Sequence, residues 1–457
     1  MPTISGWVAA STLIALAAAA CVAPPPQSRA GAAPQPFTVA FDENGVIEPR
    51  SVRVRDEAIA AASKATDVFV LSHGWRNDEQ TADCRYREMD AGIAGTQPPD
   101  ARPLFIHIMW PSAVLPLPHD SCGRASLTAV SERATTMPDV RVWASAAFPA
   151  ATRSRDFTAD VDALTALMRG GPASPIADRS LNEAAQILAR WRNAAAPGPA
   201  MLTVDAPDEM AVGGDAAAIV AQWRRLQKAP SPSNFQALTW FDFLEVFSFW
   251  TMKDRAGVVG SRGVAPLIQA LLPARDRGAR IHLVGHSFGG KLLSAALAGG
   301  ATPNTVDSLV LLQCAMSHFA LSTHDQIRSV GLDVPGEGAY ASILRDRLAA
   351  VVVATYSTQD VDNRRWFPLG ARVSDAVLSL GSVPVYAAIG ARGVDGPPVV
   401  PVVLRDEPLP SIDPAGPLRV FNVDASDVIL GHSDIAKPPV YRLIADAVRL
   451  SRHKQRP

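Results

Sequence analysis

Ile281-His282-Leu283-Val284-Gly285-His286-Ser287-Phe288-Gly289-Gly290-Lys291-Leu292-Leu293 is the stretch around which the chain is organised. Its first half is a short apolar run of the kind that forms a buried strand. The run breaks at Gly285, and Leu292, Leu293, Ala296 and Leu297 begin a helical spacing straight after it. Between them lies G-x-S-x-G. A serine in that pattern stands on a very tight strand-to-helix turn, where glycines two residues to either side let the backbone pass close to its neighbours. The turn pushes the Ser287 hydroxyl out of the sheet. It also aims the Phe288 N–H, at the helix N-terminus, where negative charge would develop on an oxygen. The bland alternative is a glycine-rich turn with an idle serine, so partners elsewhere in the chain must decide.

Residues 67–72 (DVFVLS) form a near-continuous apolar run, as in a strand buried on both faces. It ends in His73-Gly74-Trp75-Arg76-Asn77-Asp78, followed by an amphipathic helix over 79–94 and a second strand over 104–110. Strand, loop, helix, strand is a βαβ unit and predicts a parallel sheet. Ahead of it, 37–41 and the turn Asn44-Gly45 predict a β-hairpin at the sheet edge, and a short helix follows over 55–64. Beyond Ser287, strands are expected over 308–313, 349–356 and 418–423, the last after a Pro/Gly-rich loop. A helix over 439–450 closes the chain.

The alternation stops between 111 and 235, an Ala-, Pro- and Arg-rich region with helical stretches near 156–168, 178–193 and 215–226. It enters at the C-terminal end of a core strand, where open α/β sheets bind ligands, so it reads as a helical cap inserted into a core of 37–110 and 236–457. An aromatic helix over 241–256 resumes the core, and its Met252-Lys253-Asp254-Arg255-Ala256 segment reads as packing and salt-bridged surface.

The chain has 457 residues, 48% hydrophobic and 19% charged, enough for a large core. A formal net charge of −1 gives no reason to expect nucleic acid as a partner. No Cys/His spacing suggests a metal, and none is expected. Residues 1–20 read as an export signal: an uncharged, alanine-rich stretch too short to span a bilayer. Ala18-Ala19-Ala20-Cys21 resembles a bacterial lipoprotein cleavage site, with 21–36 as an Ala/Pro-rich tether, which implies a periplasmic or membrane-anchored protein held through a lipidated Cys21. In such oxidising surroundings Cys84 and Cys122 are expected to pair, leaving Cys314 as a buried free thiol.

The order along the chain is now readable: Ser287 after one strand, Asp360 after a later one, His432 after the last. That is the order Ser, Asp, His. Residues 65–110 and 240–450 resemble the α/β-hydrolase superfamily, and His73-Gly74-Trp75 resembles the H-G-aromatic oxyanion loop of bacterial esterases and lipases. The resemblance implies a mostly parallel central sheet with helices on both faces and a large helical insertion. It implies acyl transfer to water without a cofactor. His432 would take the Ser287 proton, Asp360 would hold the His432 tautomer, and the backbone N–H groups of Trp75 and Phe288 would bind the oxyanion. The expected substrate is a small-molecule or lipid ester. A serine peptidase and a non-catalytic cell-envelope binding module remain as alternatives. For the acid, Asp362 competes with Asp360, and Asp307, Asp424, Asp427 and Asp434 more distantly. His73, Met316, His318 and Phe319 are candidates for the substrate pocket, and His286 and His107 read as packing residues.

Overall fold

In the computed structural model the described residues are 35–113, 139–171, 174–194, 205, 215–228, 239–299, 306–331, 336–370, 387–411, 413 and 417–453. Eight strands pair in parallel in one sheet: β1 Phe37–Ala40, β2 Asp67–Ser72, β3 Pro103–Met109, β4 Arg280–His286, β5 Val306–Leu312, β6 Leu348–Tyr356, β7 Val399–Val403 and β8 Arg419–Asp424. Their order across the sheet is β1-β3-β2-β4-β5-β6-β8-β7. The protein is thus an α/β fold built on an eight-stranded, all-parallel sheet.

Side-chain alternation on the strands makes two cores. Val68 and Val70 of β2, with Leu104, Ile106 and Ile108 of β3, face one apolar layer; Phe69, Leu71, Phe105 and Met109 face the other. The first layer is covered by helices α1 (Val52–Ala62), α7 (Trp240–Val258), α8 (Ala265–Leu271) and α9 (Phe288–Ala298). The second is covered by α2 (Glu79–Ala94) and the closing helix α11 (Pro438–His453). Burial on both faces explains why these strands read as unbroken apolar runs.

The inserted region contributes α3 (Val140–Ala147), α4 (Phe157–Leu167), α5 (Asp178–Ala194) and α6 (Ala216–Lys228). They share the first core: Trp143 and Trp191 are buried there with Phe148 and Phe157, and the Trp143 indole donates to Ser248 Oγ of α7 at 2.7 Å. Arg255 of α7 fastens the insertion's entry, donating to the carbonyls of Pro111 at 2.6 Å, Ala146 at 3.1 Å and Ala147 at 2.9 Å.

Four features depart from expectation. The segment 37–47 turns back at Gly45 (φ 79°), but only Phe41 and Ile47 bridge; β1 instead runs parallel to β3 at the edge. The Asp42 carboxylate accepts the N–H groups of Asn44 and Val46, so the turn is capped locally and needs no partner strand. β7 was not anticipated because Pro401 interrupts its apolar run; a proline is tolerated there because β7 is an edge strand. The short helix α3, started by the Asp139 carboxylate on the N–H groups of Arg141 and Val142, was also missed. Finally, Lys253 and Arg255 are not surface residues: both are buried, Lys253 pairing with the buried Asp205 while Asp254 pairs with Arg192. Burial lowers the Arg255 guanidinium to about 10.

No helix among the described residues is long and apolar enough to cross a membrane. The leader, Cys21 and Cys122 lie outside the described residues. Cys84 is disulfide-bonded, to a partner also outside them, and Cys314 is a buried free thiol whose ionisation burial pushes far up.

Candidate functional site

The strand order supplies a place for a site. From β2 the chain steps to β3 on one side, whereas β4, on the other side of β2, leads on to β5. Loops leaving the C-terminal ends of β2 and β4 therefore part in opposite directions and open a crevice between them. These two loops are His73–Asp78 and the Ser287 turn.

Ser287 holds φ 55° and ψ −126°, a region that a residue with a side chain seldom occupies. Its N–H donates to Leu312 O at 3.0 Å, and its carbonyl accepts from Gly290 N at 3.0 Å. The turn is closed from β2: a Cβ on Gly289 would stand 2.1 Å from Ser72 O. The Phe288 N–H, first of helix α9, belongs to the amides with no acceptor inside their own helix.

Three side chains from three separated loops meet here. His432 Nε2 lies 2.8 Å from Ser287 Oγ, and His432 Nδ1 lies 2.9 and 3.1 Å from the two carboxylate oxygens of Asp360. Asp360 is fully buried and its remaining lone pairs are occupied. Oδ1 accepts the Asn363 N–H at 2.9 Å, and Oδ2 accepts from Asn363 Nδ2 at 2.8 Å and Gln313 Nε2 at 2.9 Å. Burial works against ionisation of Asp360, but the His432 charge and these hydrogen bonds outweigh it and hold the carboxyl below its ordinary range. For His432 burial likewise opposes charging, and the Asp360 carboxylate overcomes it, leaving the imidazole raised.

Three of the rival carboxylates are occupied elsewhere. Asp307 is paired with Arg275 and Arg280 beside the start of β5, Asp424 accepts from Ser426, and Asp434 pairs with Lys437. Asp362, in the first turn of α10 (Val361–Gly370), reaches His432 and Arg76 only by its field.

The β2 loop presses on the serine. A Cβ on Gly74 would come within 2.6 Å of Ser287 Cβ, so only glycine brings the following Trp75 N–H this close to the turn. The loop is fixed by its carbonyls: His73 O accepts from the Trp110 indole at 3.0 Å, Gly74 O from His73 Nδ1 and Asn77 Nδ2, and Trp75 O from Asn77 Nδ2, each at 2.9 Å. The Trp75 N–H has no hydrogen-bond partner among the described residues. Trp75, Phe249 of α7 and Phe288 form an aromatic wall, with ring centroids 5.0 to 6.3 Å apart.

The other histidines take supporting places. His73 is buried in that loop, and burial holds it neutral, down to about 4. His286 donates from Nε2 to the His432 carbonyl at 2.8 Å, which ties the base-bearing loop to the serine turn. His107 pairs with Asp90 and stacks on Tyr86. Met316, His318 and Phe319 are buried; His318 bonds Asp395 at 2.9 Å and packs on the Phe319 ring.

Gln313 and Asn363 were missed from sequence. Gln313 is an amide directly after β5 and Asn363 one in the first turn of α10, positions that mark candidates without saying which will converge. Chemically, the arrangement can move a proton from Ser287 Oγ to His432 and stabilise the imidazolium that results. Among the described residues no group of three His, Cys, Asp or Glu side chains could hold a metal ion. Comparison of the chain with protein-family models, curated proteins and solved structures finds no match.

Proposed function

We propose that the protein is a serine hydrolase of the α/β-hydrolase type that cleaves carboxylic esters or lipids. The supporting observation is the unbroken line of hydrogen bonds from Ser287 Oγ through His432 to a buried, fully solvated-by-protein Asp360. A serine hydroxyl is a poor nucleophile at neutral pH without such a base. In this reading His432 Nε2 accepts the proton as Ser287 Oγ attacks the ester carbonyl. The negative oxygen that forms is met by the N–H groups of Trp75 and Phe288. His432 then returns the proton to the leaving alcohol, and an acyl-enzyme remains. Water, activated by the same imidazole, releases the acid and regenerates Ser287.

Incubation of the folded protein with a fluorophosphonate probe tests the reading. Ser287 should be labelled, p-nitrophenyl esters should be hydrolysed, and Ser287→Ala should abolish both. A folded protein that neither labels nor hydrolyses would instead be a binding module on the same scaffold.

A further inference from the structure

Among the described residues, three other than glycine hold φ in the left-handed region: Arg76 at 64°, Ser287 at 55° and Gln313 at 45°. Such backbone is strained for a residue with a side chain, and strain of this kind gathers at functional sites. The first two stand in the loop after β2 and in the serine turn. Gln313 stands directly after β5 and is fully buried. Glycine would hold that backbone without strain, so what the position gains from glutamine is its side-chain amide.

The direction of that amide is fixed by its partners. Thr355 Oγ1, near the end of β6, accepts the Gln313 N–H at 3.0 Å and so turns its own proton to Gln313 Oε1 at 2.9 Å. With Oε1 taken, Nε2 gives one proton to Asp360 Oδ2 at 2.9 Å and the other to the Gly390 carbonyl at 3.1 Å. The reverse orientation would set Oε1 against two acceptors. Gln313 also places the second amide: its carbonyl accepts from Asn363 Nδ2 at 2.8 Å, and Asn363 Nδ2 in turn donates to Asp360 Oδ2 at 2.8 Å. Both side-chain donors therefore converge on Oδ2, the carboxylate oxygen nearer to His432 Nδ1. We infer that Gln313 is a positioning residue of the proposed reaction: its amide, aimed by Thr355, holds Asp360 in the orientation that keeps a proton on His432 Nδ1 and leaves Nε2 free to accept from Ser287. This inference rests on the hydrolase reading of Ser287, and Gln313 acts in it only through Asp360.

The test compares Gln313→Met, which keeps the length and removes the amide, with Thr355→Val, which keeps the amide and frees its direction. Each is made in the parent and in Asp360→Asn, and measured well below its unfolding midpoint. In the parent background kcat for p-nitrophenyl butyrate should fall about ten- to hundred-fold in Gln313→Met and less in Thr355→Val, with KM changed by less than about twofold. In Asp360→Asn neither substitution should lower kcat by more than about twofold, because the carboxylate they act through is gone. Nitrogen NMR spectra of isotope-labelled histidine, taken at a pH where the ring is neutral, read the His432 tautomer without turnover. The parent should show Nδ1–H alone, and both variants a mixture with Nε2–H. No loss in Gln313→Met, equal losses in the two backgrounds, or a tautomer unchanged in both variants each overturn the inference and leave the hydrolase reading standing. A parent that neither labels nor hydrolyses fails the hydrolase reading instead. The tautomers then decide the placing of Gln313 by themselves: a mixture in the variants sustains it, and Nδ1–H alone overturns it.

Discussion

At the scale of single residues, Asp360 matters for its orientation as much as for its charge. Its two oxygens hold His432 Nδ1 while three N–H bonds from Asn363 and Gln313 hold the carboxylate. Asp360→Asn keeps the shape but presents an N–H to His432, favouring the wrong tautomer. It should leave the fold intact and cut kcat by about 10⁴. Asp362→Asn, two residues away, should cost far less. Steady-state kinetics of both variants decide the matter, and the reverse ranking would move the acid to Asp362. Ser287, Asp360 and His432 could be picked from the sequence because each follows a recognisable strand and the strands come in a telling order. Gln313 and Asn363 could not, because an amide that braces a carboxylate has no spacing of its own. The role of His286 was equally hidden. Adjacent to Ser287 it reads as packing, yet its ring reaches the carbonyl of a residue 146 positions away.

At the scale of elements, the helices around Ser287 are joined by a buried charge cluster. Lys291, one turn beyond Ser287 on α9, and Lys253 on α7 both bind the carboxylate of Asp205, which comes from the inserted region; the Lys253 contact is 3.0 Å. All three are buried, and the same carboxylate accepts the Ser317 N–H at 3.3 Å. Burial would raise Asp205, but the two ammonium groups prevail and keep it lowered. Two cations around one anion make the anion indispensable. Asp205→Asn should destabilise the fold by about 3–5 kcal/mol, the range for stranding a buried charge. Urea unfolding should show this as a shifted midpoint with an unchanged slope. Adding Lys291→Met, which removes one stranded ammonium, should recover part of the loss, and no recovery would mean that the cluster is not what holds the region. A clue was present in the sequence: Lys291 is the one charge in a helix that is otherwise apolar all round. Its partner was not legible, because Asp205 sits in an Ala- and Pro-rich stretch whose lack of periodicity says nothing about what it touches.

For the whole molecule, the buried histidines set a pH window. His73 takes its proton at about 4 in the folded state and near 6.5 in the unfolded chain, so protonation favours unfolding. Its contribution is complete above pH 6.5 and is lost as the pH falls toward 4, up to about 3 kcal/mol. His286, lowered by burial and by the neighbouring His432, acts in the same direction; His432, raised, opposes them and favours the fold at low pH. Urea midpoints measured at pH 7 and pH 4.5 should drop less in His73→Gln than in the parent, and equal drops would remove His73 from the account. The parallel sheet was legible because strands buried on both faces announce themselves as apolar runs. The edges were legible only in part: β1 was expected at the edge but in a hairpin rather than parallel to β3, and β7 was not expected, since pairing there depends on a neighbour rather than on pattern. The sheet order also bears on how the chain is made. β2 is paired along its whole length by β4, and Asp67 waits for His282, 215 residues later. At ribosomal speeds of about 5–20 residues per second, one side of a strongly apolar strand stays uncovered for roughly 10–40 s. Until Ser287 itself is close to emerging, β2 has no partner on that side, which leaves one of the chain's first strands open to mispairing.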